Sequence, residues 1–462
     1  MNIFKVIFPV FLLLVLGCAD DESNMPTPAV EIVPPSTTTP PVTTVTGQEQ
    51  YLNEKSDVIF DQNELHTFEL TLSPENLNFL DSDPVAEEYV EGKITFNGET
   101  VEQVGIRYKG SIGAFVGCLT GRDFANPSGS KTCTKLSMKI KFNWTDPEGR
   151  FYGLKKLQFH SMNNDDSQMR ERLGYMFFRE MGVPAPRSVH ARLVINGVYS
   201  GVYSLVEQID GRFTRWNFDD GTGNLYKEIW PLTFDGQAFP DSEYIDHLKT
   251  NEDENPTADL MRNFANAVAN AKEEELQGVI AEWMDVEDVM SYIAVDRTIR
   301  NDDGAFHWYC DGNSCAPHNF YWYEDPTEKK LHLIPWDLDH AFENIISPAN
   351  PVTPIADAWG QISNNCDPFA SGFLGLRQRS SACDKLTGGW ASFTEEYEQK
   401  KDVFTQGLLS EEVVDNLIAT WQEQIREATI EAQTAHSDAI TVAEWENSIT
   451  TLKGALRFAR FQ

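Results

Sequence analysis

The stretch HNFYWYEDPTEKKLHLIPWDLDHAF, residues 318–342, decides the reading of the fold. Asn319 to Tyr323 is aromatic and strand-forming, Glu324 to Lys330 is a polar turn, and Leu331 to Trp336 is a second apolar strand. Two such runs around a polar break predict a β-hairpin. Directly after Ile-Pro-Trp come Asp337 and Asp339. An apolar strand is held in a core, so its end delivers those carboxylates with little freedom, stiffened by Pro335 and Trp336. A metal-binding aspartate requires such fixing; a solvated one does not.

Working outward, Val286 to Asn301 reads as a helix running into Asn301-Asp302-Asp303-Gly304. Asn251 to Met284 reads as one or two helices, and Thr394 to Phe461 as a helical C-terminus. Before residue 236 the periodicity is that of strands. Asp57 to Leu72 alternates, Lys93 to Gly110 forms two strands about an Asn97-Gly98 turn, and Lys135 to Phe142 alternates again. That last strand puts Lys135, Ser137, Lys139 and Lys141 on one face. Leu154 to His160 is a short strand. Gln168 to Met181 is an amphipathic helix behind a capping run, ended by Gly182 and Pro184. A hairpin turning at Asn196-Gly197 follows, with Glu207 at the end of its second strand, and Gly223 to Lys227 enters another strand. The expected class is α+β in two lobes, 51–235 β-rich with one main helix and 236–462 mostly helical, with a cleft between them.

The 462 residues are too many for one small core. A formal charge of −34 argues against nucleic acid as a partner, since phosphate backbones need a basic face. Residues 1–18, MNIFKVIFPVFLLLVLGC, have signal-peptide proportions and end in Leu-Val-Leu-Gly-Cys, which resembles the bacterial lipobox whose cysteine is lipidated. Ala19 rather than Asp follows Cys18, which points to the outer membrane. Residues 19–50 are a tether, with thirteen Pro or Thr among the 21 residues from 26 to 46. The expectation is a domain held off a membrane in the bacterial cell envelope. Cys118, Cys133, Cys310, Cys315, Cys366 and Cys383 fall into three near-neighbour pairs. In an oxidising compartment these read as three local disulfides, neighbour pairing being the simplest of fifteen possibilities.

Carboxylates at Asp302 and Asp303, Asn319 at the start of the hairpin, and Asp337 with Asp339 at its end can converge on one point. They are hard oxygen donors of the kind Mg²⁺ uses beside substrate phosphates. The β-rich half offers Arg107, Lys109 and Ser111 around a basic, glycine-containing turn, and Lys139 or Lys141 on a strand. Glu171 on the helix can pair with that lysine. These are the parts of phosphoryl transfer. Taken singly, each has a plainer reading as a turn cap, a solvated charge, an exposed ion pair or a structural Ca²⁺ ligand.

Together the segments GIRYKGS (105–111), KLSMKIKF (135–142), DDSQMRERLGYMFFREMGVPAPR (165–187), ARLVINGVYSGVYSLVEQID (191–210), GNLYK (223–227), NDDG (301–304), HNFYWY (318–323) and IPWDLDHAF (334–342) resemble the CotH kinase family, over roughly residues 55 to 345. The resemblance implies an atypical protein-kinase-like fold and Mg²⁺- or Mn²⁺-dependent transfer from ATP to a protein hydroxyl, Ser or Thr. Asp337 matches the metal-binding aspartate, with Asp339 beside it, and Asn319 its metal partner. Asp303 matches the catalytic carboxylate, with Asp302 the competing alignment. Lys139, with Lys141 close behind, matches the phosphate lysine and Glu171 its helix partner. Arg107, Lys109 and Ser111 would cover the phosphates, and Glu207 would lie near the nucleotide base. The Cys310–Cys315 segment departs from the family pattern as an inserted loop. Three rival readings are a non-catalytic adhesin or coat-assembly protein on the same fold, a Ca²⁺-binding surface protein, and nucleotidyl transfer.

Overall fold

A computed structural model describes residues 56–461 apart from 111–112, 116, 124–125, 254–255, 302, 312–313, 343–365 and 372–375. The signal segment, Cys18, the tether, Ser111 and Asp302 therefore lie outside the described residues.

Seven strands close a barrel: β1 (His66–Leu72), β2 (Val90–Phe96), β3 (Glu99–Tyr108), β4 (Met138–Lys141), β5 (Lys156–His160), β6 (Ser188–Ile195) and β7 (Val198–Val206), in the order β1-β2-β3-β4-β5-β7-β6. Neighbours are antiparallel except β6 and β1, which pair in parallel from His66 against Ala191 to Leu70 against Ile195 and close the cylinder. Closure removes the unpaired edges that an open sheet would expose. Because side chains alternate along a strand, Met138 and Ile140 fill the interior with Phe68, Ile94, Ile106, Phe159 and Leu205. Lys139 and Lys141 face outward.

Three strands form a second sheet, β8 (Leu225–Lys227), β11 (Phe320–Asp325) and β12 (Lys330–Pro335), with β11 in the middle. The hairpin of residues 318–342 is present in register, Phe320 against Pro335 through Asp325 against Lys330. A third sheet joins β9 (His307–Asp311), β10 (Ser314–Ala316), β13 (Phe369–Ser371) and β14 (Leu376–Ser380) in the order β10-β9-β14-β13. The helices Arg170–Glu180, Asp259–Asn270, Leu276–Trp283, Val286–Ile299, Thr394–Gln406, Glu411–Ala435 and Val442–Arg460 pack around these sheets. They share one core that includes Leu173, Phe177, Ile293, Trp322, Trp390 and Trp445. The chain is α+β. Cys118–Cys133, Cys310–Cys315 and Cys366–Cys383 are all bonded. No helix of the described residues is long and apolar enough to cross a membrane.

Two local expectations are corrected, and one helix is added. The alternation from Asp57 begins in a helical turn, Ser56–Ile59, and the strand starts only at His66. Asp61 accepts the amide of Asn63 at 2.9 Å, a side-chain turn that competes with a strand. The strand expected from Lys135 begins at Met138, and the Lys135 amine donates to the Val202 carbonyl at 2.7 Å instead of joining the lysine row. The helix Pro74–Ser82 was not foreseen, although Ser73 caps it and Pro74 opens it.

Buried Glu324 on β11 accepts hydrogen bonds from Tyr226 Oη at 2.9 Å and the Met261 amide at 2.7 Å, both on Oε1. Burial pushes its pKa up to about 7, so between the unfolded carboxylate range and pH 7 the folded chain holds the extra proton. Its contribution therefore falls as pH rises through that window. Glu324→Gln keeps the acceptor oxygen and removes the titration. The variant should gain stability over the parent at pH 8, on the order of a few kcal/mol, and lose that advantage near pH 4, as read by urea melts.

Candidate active site

Side chains at the ends of β3, β4 and β5 continue the outward-facing rows of those strands. Arg107, Lys139 and Gln158 form one cross-strand row. Lys109, Ser137 and His160 form the next, two residues along, and this second row lines a cavity of about 110 Å³. Glu171, Asp303, Asp337, Asp339 and His340 line the same cavity. A larger cavity of about 460 Å³ lies beside it and shares Met162 and Asn163. Asp303, Asp337 and Glu171 do not line that one, so the smaller is where the chemistry can occur.

The helix Arg170–Glu180 organises the site. Asp165 accepts the Arg170 amide at 2.8 Å and so fixes the first turn, which carries Glu171. Glu171 Oε1 is 2.7 Å from His160 Nδ1, and His160 Nε2 is 2.6 Å from Lys109 Nζ. Burial, and then the Lys109 charge, drives the His160 pKa well below its ordinary value, so the ring is neutral. The consistent proton arrangement has the Lys109 ammonium donating to Nε2 and Nδ1–H donating to Glu171. The imidazole thus relays an ammonium–carboxylate pair. Burial lowers the Lys109 pKa, opposed by Asp337 and Glu171. The ammonium also lies 5.4 Å from the Trp336 ring centre.

Asp337 leaves β12 in the left-handed region, φ 55°, as does Asn319 at the start of β11, φ 57°. Aspartate and asparagine are among the residues that tolerate this region. The Asp337 amide donates to Tyr175 Oη at 3.0 Å, and Trp336 N donates to Asn319 O at 3.1 Å. Arg170 donates to the Asp339 carbonyl at 3.4 Å. Gly174 makes room for this turn: a Cβ there would stand 2.9 Å from Leu338 Cδ1 and 3.3 Å from Leu338 Cβ. Asp303 follows the Val286–Ile299 helix, which ends at left-handed Arg300. Asn319 Nδ2 donates to Asp303 Oδ2 at 2.8 Å, joining the two acidic segments. A Cβ at Gly304 would meet Asn301 Nδ2 at 2.2 Å, so any larger residue there would displace the buried Asn301 amide.

The carboxylates repel one another. Burial first, then Asp337 and Asp339, push Asp303 up to about 7, against the help of His340 and Asn319. Burial and Asp337 push Asp339 up to about 7 as well, and Glu171 is raised by the same two causes. Such crowding fits a site that receives a divalent cation. His160, Glu171 and Asp337 place one ligand atom each within 4.8 Å of one another.

Of the expected site residues, the structure gathers Lys109, Glu171, Asp303, Asn319, Asp337 and Asp339. Ser111 and Asp302 lie outside the described residues, and Arg107, Lys139, Lys141 and Glu207 do not line the cavity. Lys139 lies one pleat from the cavity, roughly 6–7 Å along the strand, and does not pair with Glu171. Burial and the Lys109, Lys156 and Arg107 charges drive its pKa well down. Arg107 is ion-paired with Glu87, and Lys141 lies 5.8 Å over the Tyr89 ring. The Glu207 carboxylate is held by Arg187 at 2.7 Å and Arg212 at 3.1 Å. Burial raises its pKa, but the two guanidinium groups overcome this and hold it below the ordinary range. The expected lysine–glutamate pair is thus built on Lys109 through His160. Sequence reasoning passed over His160, whose place at the end of a buried strand was the available signal. It also passed over His340.

The family model described as CotH kinase protein matches residues 106–459, about three-quarters of the chain. The chain belongs to that family. It is similar to spore coat protein homolog 1 of Rhizopus delemar, 23% identical over 299 residues that cover 63% of this chain and 44% of that protein. It is also similar to inner spore coat protein H of Bacillus subtilis, 23% identical over 290 residues, 60% of this chain and 69% of that one. The chain therefore spans less than half the length of the Rhizopus relative. A Shewanella oneidensis HipA–HipB–operator DNA complex holds a chain 10% identical over 79% of this one and 74% of its own length. At a TM-score of 0.25 it carries no argument.

Two outcomes check this geometry. Asp337→Asn removes the charge that crowds Asp303, Asp339 and Glu171, and should raise the melting temperature of the metal-free chain at pH 8 by a few degrees. Gly174→Ala adds helix propensity of about 1 kcal/mol, yet should lower the melting temperature because the added methyl displaces Leu338 and the Asp337 turn.

Proposed function

We propose that the chain is an extracytoplasmic, membrane-tethered CotH-type protein kinase that transfers the γ-phosphate of ATP to a Ser or Thr hydroxyl of another protein. The observation that carries this reading is the meeting of Asp303, Asn319, Asp337 and Asp339 with the Lys109–His160–Glu171 relay around one small cavity.

Asp337, Asp339 and the Asn319 carbonyl oxygen would hold Mg²⁺ or Mn²⁺, with Glu171 within reach. The ion would neutralise the phosphate oxygens during transfer. Lys109, fixed by His160 and by the Trp336 ring, directs its ammonium at the phosphates. Asp303 is positioned by Asn319 on Oδ2, which leaves Oδ1 for the acceptor hydroxyl. A carboxylate with a pKa of about 7 is a competent base at neutral pH. The hydroxyl proton passes to Asp303, the acceptor oxygen bonds to the γ-phosphorus, and the bond to the β-phosphate oxygen breaks to release ADP. Catalysis of this kind is mostly positioning and electrostatics.

The three disulfides suit an oxidising compartment. Cys18 would carry the lipid and residues 19–50 the tether, in the envelope of a bacterium, with the outer membrane as the favoured leaflet.

The test is incubation of the chain with γ-labelled ATP and Mg²⁺ or Mn²⁺, followed by mass spectrometry of the labelled protein. Asp303→Ala and Asp337→Ala should each abolish transfer. Lys109→Ala should lose roughly 10²-fold, whereas Lys139→Ala should stay within about tenfold of the parent. Loss through Lys139 and not Lys109 would refute the assigned lysine. Addition of a nucleotidyl group would replace phosphoryl transfer by nucleotidyl transfer. No label and no nucleotide-dependent thermal shift would leave a non-catalytic surface protein.

A further inference from the structure

A second set of ligand-type side chains lies at the turn end of the β11–β12 hairpin, away from the candidate active site. A ring nitrogen of His332 and one carboxylate oxygen from each of Asp325 and Glu328 lie within 4.8 Å of one another. Asp325 is buried at the end of β11. Its Oδ1 accepts the amides of Thr327 and Glu328, each at 2.8 Å, which holds the carboxylate in one orientation. The His332 side chain is only 10% exposed. Its Nδ1 is 3.8 Å from Asp288 Oδ2, while its Nε2 is buried and has no hydrogen-bond partner among the described residues. A buried imidazole nitrogen without a partner is destabilising and calls for a reason.

The surroundings favour a cation over a proton donor from the protein. Lys330 on the same hairpin is committed elsewhere, donating to the Ala281 and Met284 carbonyls at 2.8 and 3.0 Å. Asp285, Asp288 and Glu328 add negative charge around the ring.

We propose that Asp325, Glu328 and His332 bind one divalent transition ion of the zinc type. An imidazole nitrogen with two carboxylates suits Zn²⁺ or Co²⁺, whereas Mg²⁺ and Ca²⁺ favour oxygen alone. Ligands about 2.0–2.2 Å from zinc stand roughly 3.4 Å apart, so the set must close slightly. Glu328 is exposed and supplies that movement. Asp288 Oδ2, 3.8 Å from Nδ1, adds a further negative charge beside the ring. The ion would join β11 to β12 at the end of the hairpin opposite Asn319 and Asp337. Nothing in this site depends on the kinase reading.

The test uses the full chain carrying Cys18→Ser and Asp337→Ala. These remove the one thiol outside the three disulfides and disable the carboxylate cluster of the candidate active site. Calorimetric titration with Zn²⁺ should give one equivalent, and Co²⁺ should give a visible ligand-field band. Adding Glu328→Gln, a substitution at an exposed side chain that leaves the fold intact, should weaken Zn²⁺ uptake tenfold or more and remove the Zn²⁺-dependent rise in melting temperature. No uptake in the parent, or equal uptake with and without Glu328→Gln, would overturn the assignment.

Discussion

Crowding of like charge is the constraint to which the rest of the molecule answers. Asp303, Asp337, Asp339 and Glu171 belong to three separate segments, and each is held in a space too small to hydrate four carboxylates. Keeping them together costs on the order of a few kcal/mol per displaced titration. No isolated loop could sustain that. The helix Arg170–Glu180 can, because Leu173, Phe177 and Phe178 anchor it in the helical core while its first turn faces the barrel. One helix supplies Glu171, the space at Gly174 and the Tyr175 hydroxyl that takes the Asp337 amide. Site and scaffold meet in those residues.

The Lys109–His160–Glu171 relay answers the same constraint from the other wall. A lysine bonded straight to Glu171 would cancel one carboxylate and sit close to the helix. With a neutral ring between them, the ammonium stands farther out, nearer to Asp337 and the cavity, while Glu171 is still engaged. The Trp336 ring limits how far it can swing. The charge pattern is therefore a cation on one side, carboxylates on the other and a small cavity between them.

Much of this was legible in the chain, and the reasons for the exceptions are physical. The hairpins at Asn97-Gly98, at Asn196-Gly197 and at residues 319–336 follow from local turn chemistry and alternation, and all three are present. So are the C-terminal helices, whose apolar stripes are long enough to count. Alternation also identified a row of lysines facing outward on β4. It could not say which pleat of that face meets the helix, because that depends on barrel register, and the lysine that meets it, Lys109, lies just past the end of β3. The barrel itself was hidden for a related reason. It is closed by β1 against β6, a pairing across more than a hundred residues that no local pattern records. The sheet through β9 and β14 was missed because its strands are short and its partners lie far apart in the chain.

The C-terminal helices have a consequence for how the molecule becomes complete. Tyr199 Oη on β7 donates to the Ala428 carbonyl at 3.0 Å, and Trp445 Nε1 in the last helix donates to the Ser167 carbonyl at 3.1 Å, three residues ahead of the helix that carries Glu171. A chain emerging from its first residue can close the cylinder only once Val206 is out, and it must wait for Trp445 before the entrance to the Glu171 helix is braced. Assembly therefore finishes beside the candidate site, and a chain stopped short of its final helices would lack the brace on the Glu171 helix.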